Sequence, residues 1–261
     1  MAVKTKGNTL YFVSDMHFGI PSWEDSLERE KMFVSFLDEI KQDATDIFIL
    51  GDMFDFWFEW KYVAPKGYVR LLGRLAELSD RGIRLYYFSG NHDIWLFGYL
   101  EKEIGMNIYH NPEFFECNNE IFYLAHGDGL GPGDIGYKIM KKIFRSKISQ
   151  WIYARLHPNF ATALANFLSN KSRYANLKKD IWESIFAKQV IYAESILSNH
   201  KVDYFIFAHQ HIPMKKQIGN AELYNIGNWM GDFSYIRYGE SELKQGNYSA
   251  DVLTTKEINI L

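Results

Sequence analysis

The chain has 261 residues, 47% hydrophobic and 23% charged, with a formal net charge of −3. That balance excludes a disordered chain, and 19 glycines with 6 prolines exclude a collagen-like or low-complexity one. The length fits one domain, or one domain carrying an insertion. The single cysteine, Cys117, leaves no partner for an intramolecular disulfide and reads as a reducing compartment. The first fifteen residues are too polar for a secretory signal, and no uncharged apolar run reaches the ~20 residues of a membrane span. The expectation is a cytoplasmic chain, at most peripheral on a membrane.

In chain order, Thr9 to Ser14 reads as a strand that runs straight into Asp15-Met16-His17. Asp25 to Ile40 repeats apolar residues (Met32, Phe33, Phe36, Leu37, Ile40) at helical spacing. Asp46 to Leu50 is a second buried strand, ending in Gly51-Asp52, and Tyr68 to Leu78 is helical. Arg84 to Phe88 is a third strand, ending in Ser89-Gly90-Asn91-His92-Asp93. Ile121 to Ala125 ends at His126, and Tyr204 to Ala208 ends at His209-Gln210-His211. Neither an internal repeat nor a flexible linker is visible.

Five strands therefore end in polar, metal-capable residues. In layered α/β proteins ligands bind beyond the carboxyl ends of strands, so five such loops on one edge make one site. The collected side chains are Asp15, His17, Asp52, Asn91, His126, His209 and His211. Any one of these pieces alone is good turn chemistry or a satisfied polar residue; five in this order are not coincidence. Mixed oxygen and nitrogen donors without a thiolate suit borderline or hard divalent ions such as Mn²⁺, Fe²⁺ or Zn²⁺. Seven side chains exceed one tetrahedral site and suffice for two ions sharing a carboxylate.

One segment stands apart in charge. Ile135 to Lys179 holds no acid and ten of the 29 bases, Lys138, Lys141, Lys142 and Arg145 among them, so the remainder is acidic. Its partner is expected to be anionic: phosphate, lipid headgroup or nucleic acid. Ile139 to Ile152 reads as one amphipathic helix, with Met140, Phe144, Ile148 and Ile152 on one face and Lys138, Lys142 and Arg145 on another. Trp151, Tyr153, Phe160, Phe167 and Tyr174 add interfacial bulk. The plainer alternative is a small helical cap with a solvated basic face.

The ordered motifs D-x-H, G-D-x-x-D, G-N-H-D, H-G-D and H-x-H, spread from Asp15 to His211, resemble those of the calcineurin-like metallophosphoesterase superfamily. That resemblance implies a four-layer α-β-β-α sandwich with a dinuclear metal centre. It implies Asp15, His17, Asp52 and His211 as ligands of the first ion, and Asp52 (bridging), Asn91, His126 and His209 as ligands of the second. His92 matches the superfamily histidine near the leaving group, with Asp55 and Asp93 as candidates to orient it. The last motif begins with Ala208 where the superfamily usually has glycine.

Within the superfamily, the aromatic run from Phe54 to Trp60 is similar to that of the bacterial UDP-2,3-diacylglucosamine pyrophosphatases of lipid A synthesis. So are Asp134, eight residues after His126, and Tyr137. The stretch Ser172-x-x-x-Asn176-x-x-Lys179 is similar to that family's sugar-phosphate-binding segment, and Asn228-Trp229 to its tail. One position departs: the best-known members carry arginine where this chain has His92.

The resemblance implies hydrolysis of the diphosphate by a hydroxide activated between two ions, Mn²⁺ being the family expectation, to give UMP and the acylated sugar 1-phosphate. Asn91, His92, Asp134, Tyr137, Ser172, Asn176, Lys179 and His209 are the implied substrate contacts; His92 and Asp55 are the implied catalytic pair. Residues 1–261 form a single domain in this reading, with 130–200 a basic helical cap insertion beside an anionic inner-membrane surface. The alternatives are another nucleotide pyrophosphatase, a phosphodiesterase or a nuclease with the same centre. A non-catalytic scaffold is disfavoured because every ligand position is filled.

Overall fold

The computed structural model of the chain describes residues 2–175 and 179–249. Two six-stranded sheets lie face to face. The first runs in the order β12 (Glu242–Asn247), β11 (Ser234–Gly239), β2 (Leu10–Val13), β3 (Asp46–Ile49), β4 (Arg84–Phe88), β5 (Asn107–Tyr109). Strands β2 to β5 are parallel, in a register that sets Val13 beside Ile49 and Phe48 beside Tyr86. The second sheet runs β1 (Val3–Lys4), β6 (Glu113–Cys117), β7 (Glu120–Leu124), β8 (Tyr204–Phe207), β10 (Ala221–Asn225), β9 (Met214–Ile218). Here β7, β8 and β10 are parallel.

The central strands are apolar without alternation because both of their faces are covered. Leu10, Phe12, Phe48, Tyr86 and Phe88 point inward and meet Phe115, Phe122, Leu124, Ile206 and Tyr224 of the second sheet. Tyr11, Val13, Ile47, Ile49, Leu85 and Tyr87 point outward and pack with α1 (Trp23–Ile40), α2 (Val69–Asp80) and α3 (Tyr99–Ile104). The outer face of the second sheet, with Tyr123, Phe205, Phe207 and Leu223, packs on Phe186, Val190 and Ala193 of α7 (Lys179–Leu197). The four layers are therefore helix, sheet, sheet, helix, as expected.

Between β7 and β8 the chain adds α4 (Ile135–Phe144), α5 (Lys147–Tyr153) and α6 (Pro158–Ala175) before α7. The single helix expected over 139–152 is broken. Ser146 leaves the helical region and its Oγ accepts from Ser149 N at 3.2 Å, so it caps a new helix. The break lets Tyr153 turn into an aromatic cluster with Phe58 and Trp95, at centroid distances of 4.8 and 4.5 Å, instead of standing at an interface. The expected basic face is also depleted. Of its three bases, Lys138 donates to Gly131 O and the Arg145 guanidinium to His110 O, each at 2.5 Å; neighbouring Lys141 pairs with Asp128 at 2.6 Å. Among the described residues no helix is long and apolar enough to cross a membrane.

Phe48 is stacked between Phe12 (4.9 Å) and Tyr86 (4.5 Å) at the centre of the inter-sheet layer. Phe48→Ala is expected to lower the unfolding free energy by about 3–5 kcal/mol in a denaturant titration. A loss below ~1 kcal/mol would contradict this packing.

Candidate metal centre

The parallel strands of both sheets end at one edge, and there the loops meet. Those after β2, β3 and β4 come from neighbouring strands of the first sheet, and those after β7 and β8 from neighbours in the second. Backbone bonds lock them together: Asp15 N to Gly51 O (3.1 Å), His17 N to Asp52 O (3.0 Å) and Ala208 N to His126 O (2.8 Å). The sheets are joined where His209 N donates to Asp15 Oδ2 at 3.1 Å. The loops turn so sharply that Asp15, His17, Asp52, His209 and His211 all lie in the left-handed region, with φ from 44° to 75°. Such backbone is uncommon outside glycine and clusters at functional sites. Gly51 and Gly90 are required by contact: a Cβ on Gly51 would sit 2.4 Å from His126 Nδ1, and one on Gly90 would strike Asp52 Oδ1.

Three groups of donors result: His17 with Asp55 and His92, and two that share no residue, Asp15, His17 and His211, and Asp52, His126 and His209. His211 Nε2 lies 3.2 Å from Asp15 Oδ1 and from His17 Nε2. His126 Nε2 lies 3.4 Å from Asp52 Oδ2 and 3.2 Å from Asn91 Oδ1. Asp52 Oδ2 is also 3.6 Å from His17 Nε2, so this carboxylate stands between the groups. The imidazoles are aimed from behind: His17 Nδ1 faces Asp55 Oδ1 (3.3 Å), and His126 Nδ1 donates to Leu50 O (2.7 Å). That leaves each Nε2 turned inward, as metal-ligating histidines are held. Asp15 Oδ1 is buried without a hydrogen-bond donor, and convergent imidazole nitrogens surround it. These donors fit divalent cations.

The electrostatics follow from burial. Burial pushes the Asp52 carboxyl up, but the His126, His92 and His17 imidazoles outweigh it and hold Asp52 well below the usual carboxylate range. Burial pushes His126 down, yet the Asp52 carboxylate overrides it and raises the imidazole to about 10. His209 is lowered to about 4 by burial and by His126, and His17 is lowered chiefly by burial.

His92 lies beside this cluster, its ring centroid 4.7 Å from that of His17. Its backbone N–H donates to Asp52 Oδ1 (2.9 Å), and its Nδ1 faces Asp55 O (3.1 Å) and Asp55 Oδ1 (3.4 Å). Asp55 is therefore its orienting carboxylate. Asp93 is not: it is buried beneath the loop, accepts from Gly90 N (2.7 Å) and Tyr87 Oη, and is pushed up to about 6 by burial and by Asp52.

The remaining expected substrate residues are placed differently. Asp134 starts α4 with φ 51° and pairs with Lys188 at 2.7 Å. The Tyr137 hydroxyl donates to Asp128 Oδ2 at 2.5 Å, so it is tied to the H-G-D loop. Ser172 falls within α6 and Lys179 begins α7; their side chains, and the whole of Asn176, lie outside the described residues.

Sequence reading missed several supports. Arg29 of α1 is buried and donates to Met16 O (2.9 Å), His17 O (2.9 Å) and Ile20 O (2.6 Å). Gln189 of α7 donates to Ala208 O at 3.2 Å, and Asn228 to His211 O at 2.7 Å. Trp229 N donates to Asp15 O at 3.1 Å, so Asn228-Trp229 buttresses two of the loops. Ser169 of α6 touches both Asp55 and His92. Its one signal is position, one helical turn before Ser172.

Two stacked sheets that deliver paired histidine–carboxylate groups to one edge define a metal-dependent phosphoesterase. The chain belongs to the calcineurin-like phosphoesterase family, whose sequence profile matches residues 9–213. It is 35% identical over 246 residues to a Porphyromonas gingivalis protein named UDP-2,3-diacylglucosamine hydrolase, an overlap of 87% of this chain and 92% of that one. An Aeromonas salmonicida protein of the same name is 27% identical over 240 residues, covering 90% and 92%. Among solved structures it is similar to the E. coli phosphoesterase Yfce (TM-score 0.44, 16% identity, 90% of each chain). It is also similar to an archaeal phosphodiesterase (TM-score 0.47, 13% identity, 91% and 98%).

With His126 raised to about 10, the metal-free centre holds a proton there at pH 7. A ligating imidazole must shed it, so cation binding is expected to release a proton and to tighten as pH rises towards 10. Calorimetry in buffers of differing ionisation enthalpy measures this; a heat independent of buffer would contradict it.

Proposed function

We propose that the chain hydrolyses the diphosphate of UDP-2,3-diacylglucosamine, giving UMP and 2,3-diacylglucosamine 1-phosphate. The observation that carries this reading is the 35% identity, over 92% of its length, to the P. gingivalis protein named for that hydrolysis.

The site residues take the following roles. Asp15, His17, Asp52 and His211 would hold one divalent cation, and Asp52, Asn91, His126 and His209 the other; Mn²⁺ suits these donors, as do Fe²⁺ and Zn²⁺. When bound, such a pair lowers the pKa of water and draws charge from the attacked phosphorus. Asp52 bridges. Asn91 and His209 also face the diphosphate, and His92, held by Asp55, donates a hydrogen bond to the leaving phosphate oxygen. Water adds to one phosphorus, the bond to the bridging oxygen breaks, and that oxygen leaves on the sugar phosphate.

The region 130–200 is the cap of this reading. An acylated substrate needs apolar surface near the diphosphate, and α4 to α6 leave much of it uncovered: Ile139, Ile143, Ile148 (73% exposed), Trp151 (59%), Ile152 and Phe167. Ser172, Asn176 and Lys179 are the contacts of the sugar phosphate in this reading, and Asp134 and Tyr137, held by Lys188 and Asp128, are further substrate contacts. Lys142 and Lys147 stand exposed beside this apolar surface and suit the anionic cytoplasmic face of a membrane.

The deciding assay supplies Mn²⁺ and compares UDP-2,3-diacylglucosamine with bis-p-nitrophenyl phosphate and single-stranded DNA. Preferential UMP release, abolished by Asp52→Ala, is expected. Turnover of only the diester or DNA would reject the lipid substrate and keep the centre. Separately, Ile139→Ser with Lys142→Ser and Lys147→Ser is expected to weaken sedimentation with phosphatidylglycerol vesicles at least tenfold, at roughly 1 kcal/mol per lysine plus the apolar loss. Unchanged sedimentation would leave the surface to the acyl chains alone.

A further inference from the structure

The inserted helix α6 reaches the catalytic pair at one described side chain. Ser169 Oγ lies 3.2 Å from Asp55 Oδ2 and 3.2 Å from His92 Nδ1, although 114 and 77 residues separate it from them in sequence. We propose that Ser169 is a positioning residue: it fixes His92 through Asp55 and makes the setting of that histidine depend on the seating of α6. The proposal rests on the reading of His92 as donor to the leaving phosphate.

The argument is one of donors and acceptors. His92 Nδ1 faces the Asp55 carbonyl oxygen (3.1 Å), Asp55 Oδ1 (3.4 Å) and Ser169 Oγ (3.2 Å). The carbonyl and the carboxylate can only accept, so Nδ1 carries hydrogen and Nε2 is left for the substrate. A serine hydroxyl satisfies both neighbours at once, accepting from Nδ1–H while donating to Asp55 Oδ2. Asp55 Oδ1 is already shared with His17 Nδ1 at 3.3 Å, so this carboxylate serves a candidate metal ligand and the catalytic histidine together. The hydroxyl of Ser169 holds the second carboxylate oxygen and keeps the plane of Asp55 from rotating towards His17 alone. Because α6 belongs to the insertion, this contact forms only when the insertion is docked. Acyl chains that hold α6 in place thereby help to hold His92.

The test is a double-variant cycle with Mn²⁺ on UDP-2,3-diacylglucosamine and, in parallel, on bis-p-nitrophenyl phosphate. Ser169→Ala is expected to lower kcat about tenfold with KM within about twofold, in the range usual for residues that orient catalytic groups. Ser169→Thr, which keeps the hydroxyl, is expected to restore most of kcat. The double variant with His92→Ala is expected to be no slower than His92→Ala alone. A rise in KM with kcat unchanged, full additivity with His92→Ala, or failure of threonine to rescue would overturn the proposal. If Ser169→Ala does not fold, the wild-type to Ser169→Thr comparison in the His92 and His92→Ala backgrounds decides: a threonine effect that persists without His92 overturns it. Wild-type enzyme that releases no UMP but cleaves the diester would instead reject the lipid substrate, and the cycle is then read on the diester.

Discussion

Asp15 and Asp52 are buried completely, and among the described residues the ion-pair partners of both are histidines. Two carboxylates this close inside a protein repel each other and lose their hydration, a large cost unless cations or hydrogen-bond donors compensate. Imidazoles do so here in part, and the Asp52 carboxylate in turn raises His126 against the pull of burial. Divalent cations would complete the compensation. The rest of the molecule is arranged around holding this unfavourable cluster. Both sheets contribute to it, apolar strands leave their ends no freedom, and a bond from His209 to Asp15 pins one sheet edge to the other.

The helices between β7 and β8 are part of that scaffold. Tyr137 and Lys141 of α4 both bind Asp128, two residues beyond His126; Lys141, despite the pull of burial the other way, helps hold that carboxyl below its ordinary range. Trp95 Nε1 donates to Phe144 O at 2.9 Å, joining the G-N-H-D loop to the end of α4. Gln189 of α7 supports the strand end before His209. The helices are thus fastened to the loops that carry the chemistry while their outer apolar faces stay open.

Much of this was legible in the sequence. Strands buried on both faces appear as short unbroken apolar runs, so all five that carry site residues were placed within a residue or two. The candidate ligand residues stood out because each follows such a run within a few positions. What escaped was whatever depends on distant pairing. Lys141 and Arg145 looked like solvated charge because Asp128 and His110, their partners, lie outside the segment. Asp93 looked as able as Asp55 to orient His92, and what separates them is their partners: Asp93 is taken by Gly90 N and Tyr87 Oη, whereas Asp55 faces His92. The helix break at Ser146 is written in an ordinary serine, whose capping role depends on what Tyr153 finds to pack against. Arg29, Gln189 and Ser169 are polar residues in helices, and nothing local distinguishes them from surface.

The left-handed backbone at Asp15, His17, Asp52, His209 and His211 limits how this centre could be altered by evolution or design. Aspartate and histidine are among the few residues enriched in that conformation, so ligand chemistry and loop geometry select the same side chains. Glutamate or cysteine, common ligands elsewhere, would add a conformational cost of about 1–2 kcal/mol at each such position. A route to a thiolate-rich centre therefore carries that cost at each exchanged position unless the loop is rebuilt as well, so the main chain itself favours the oxygen and nitrogen donors present.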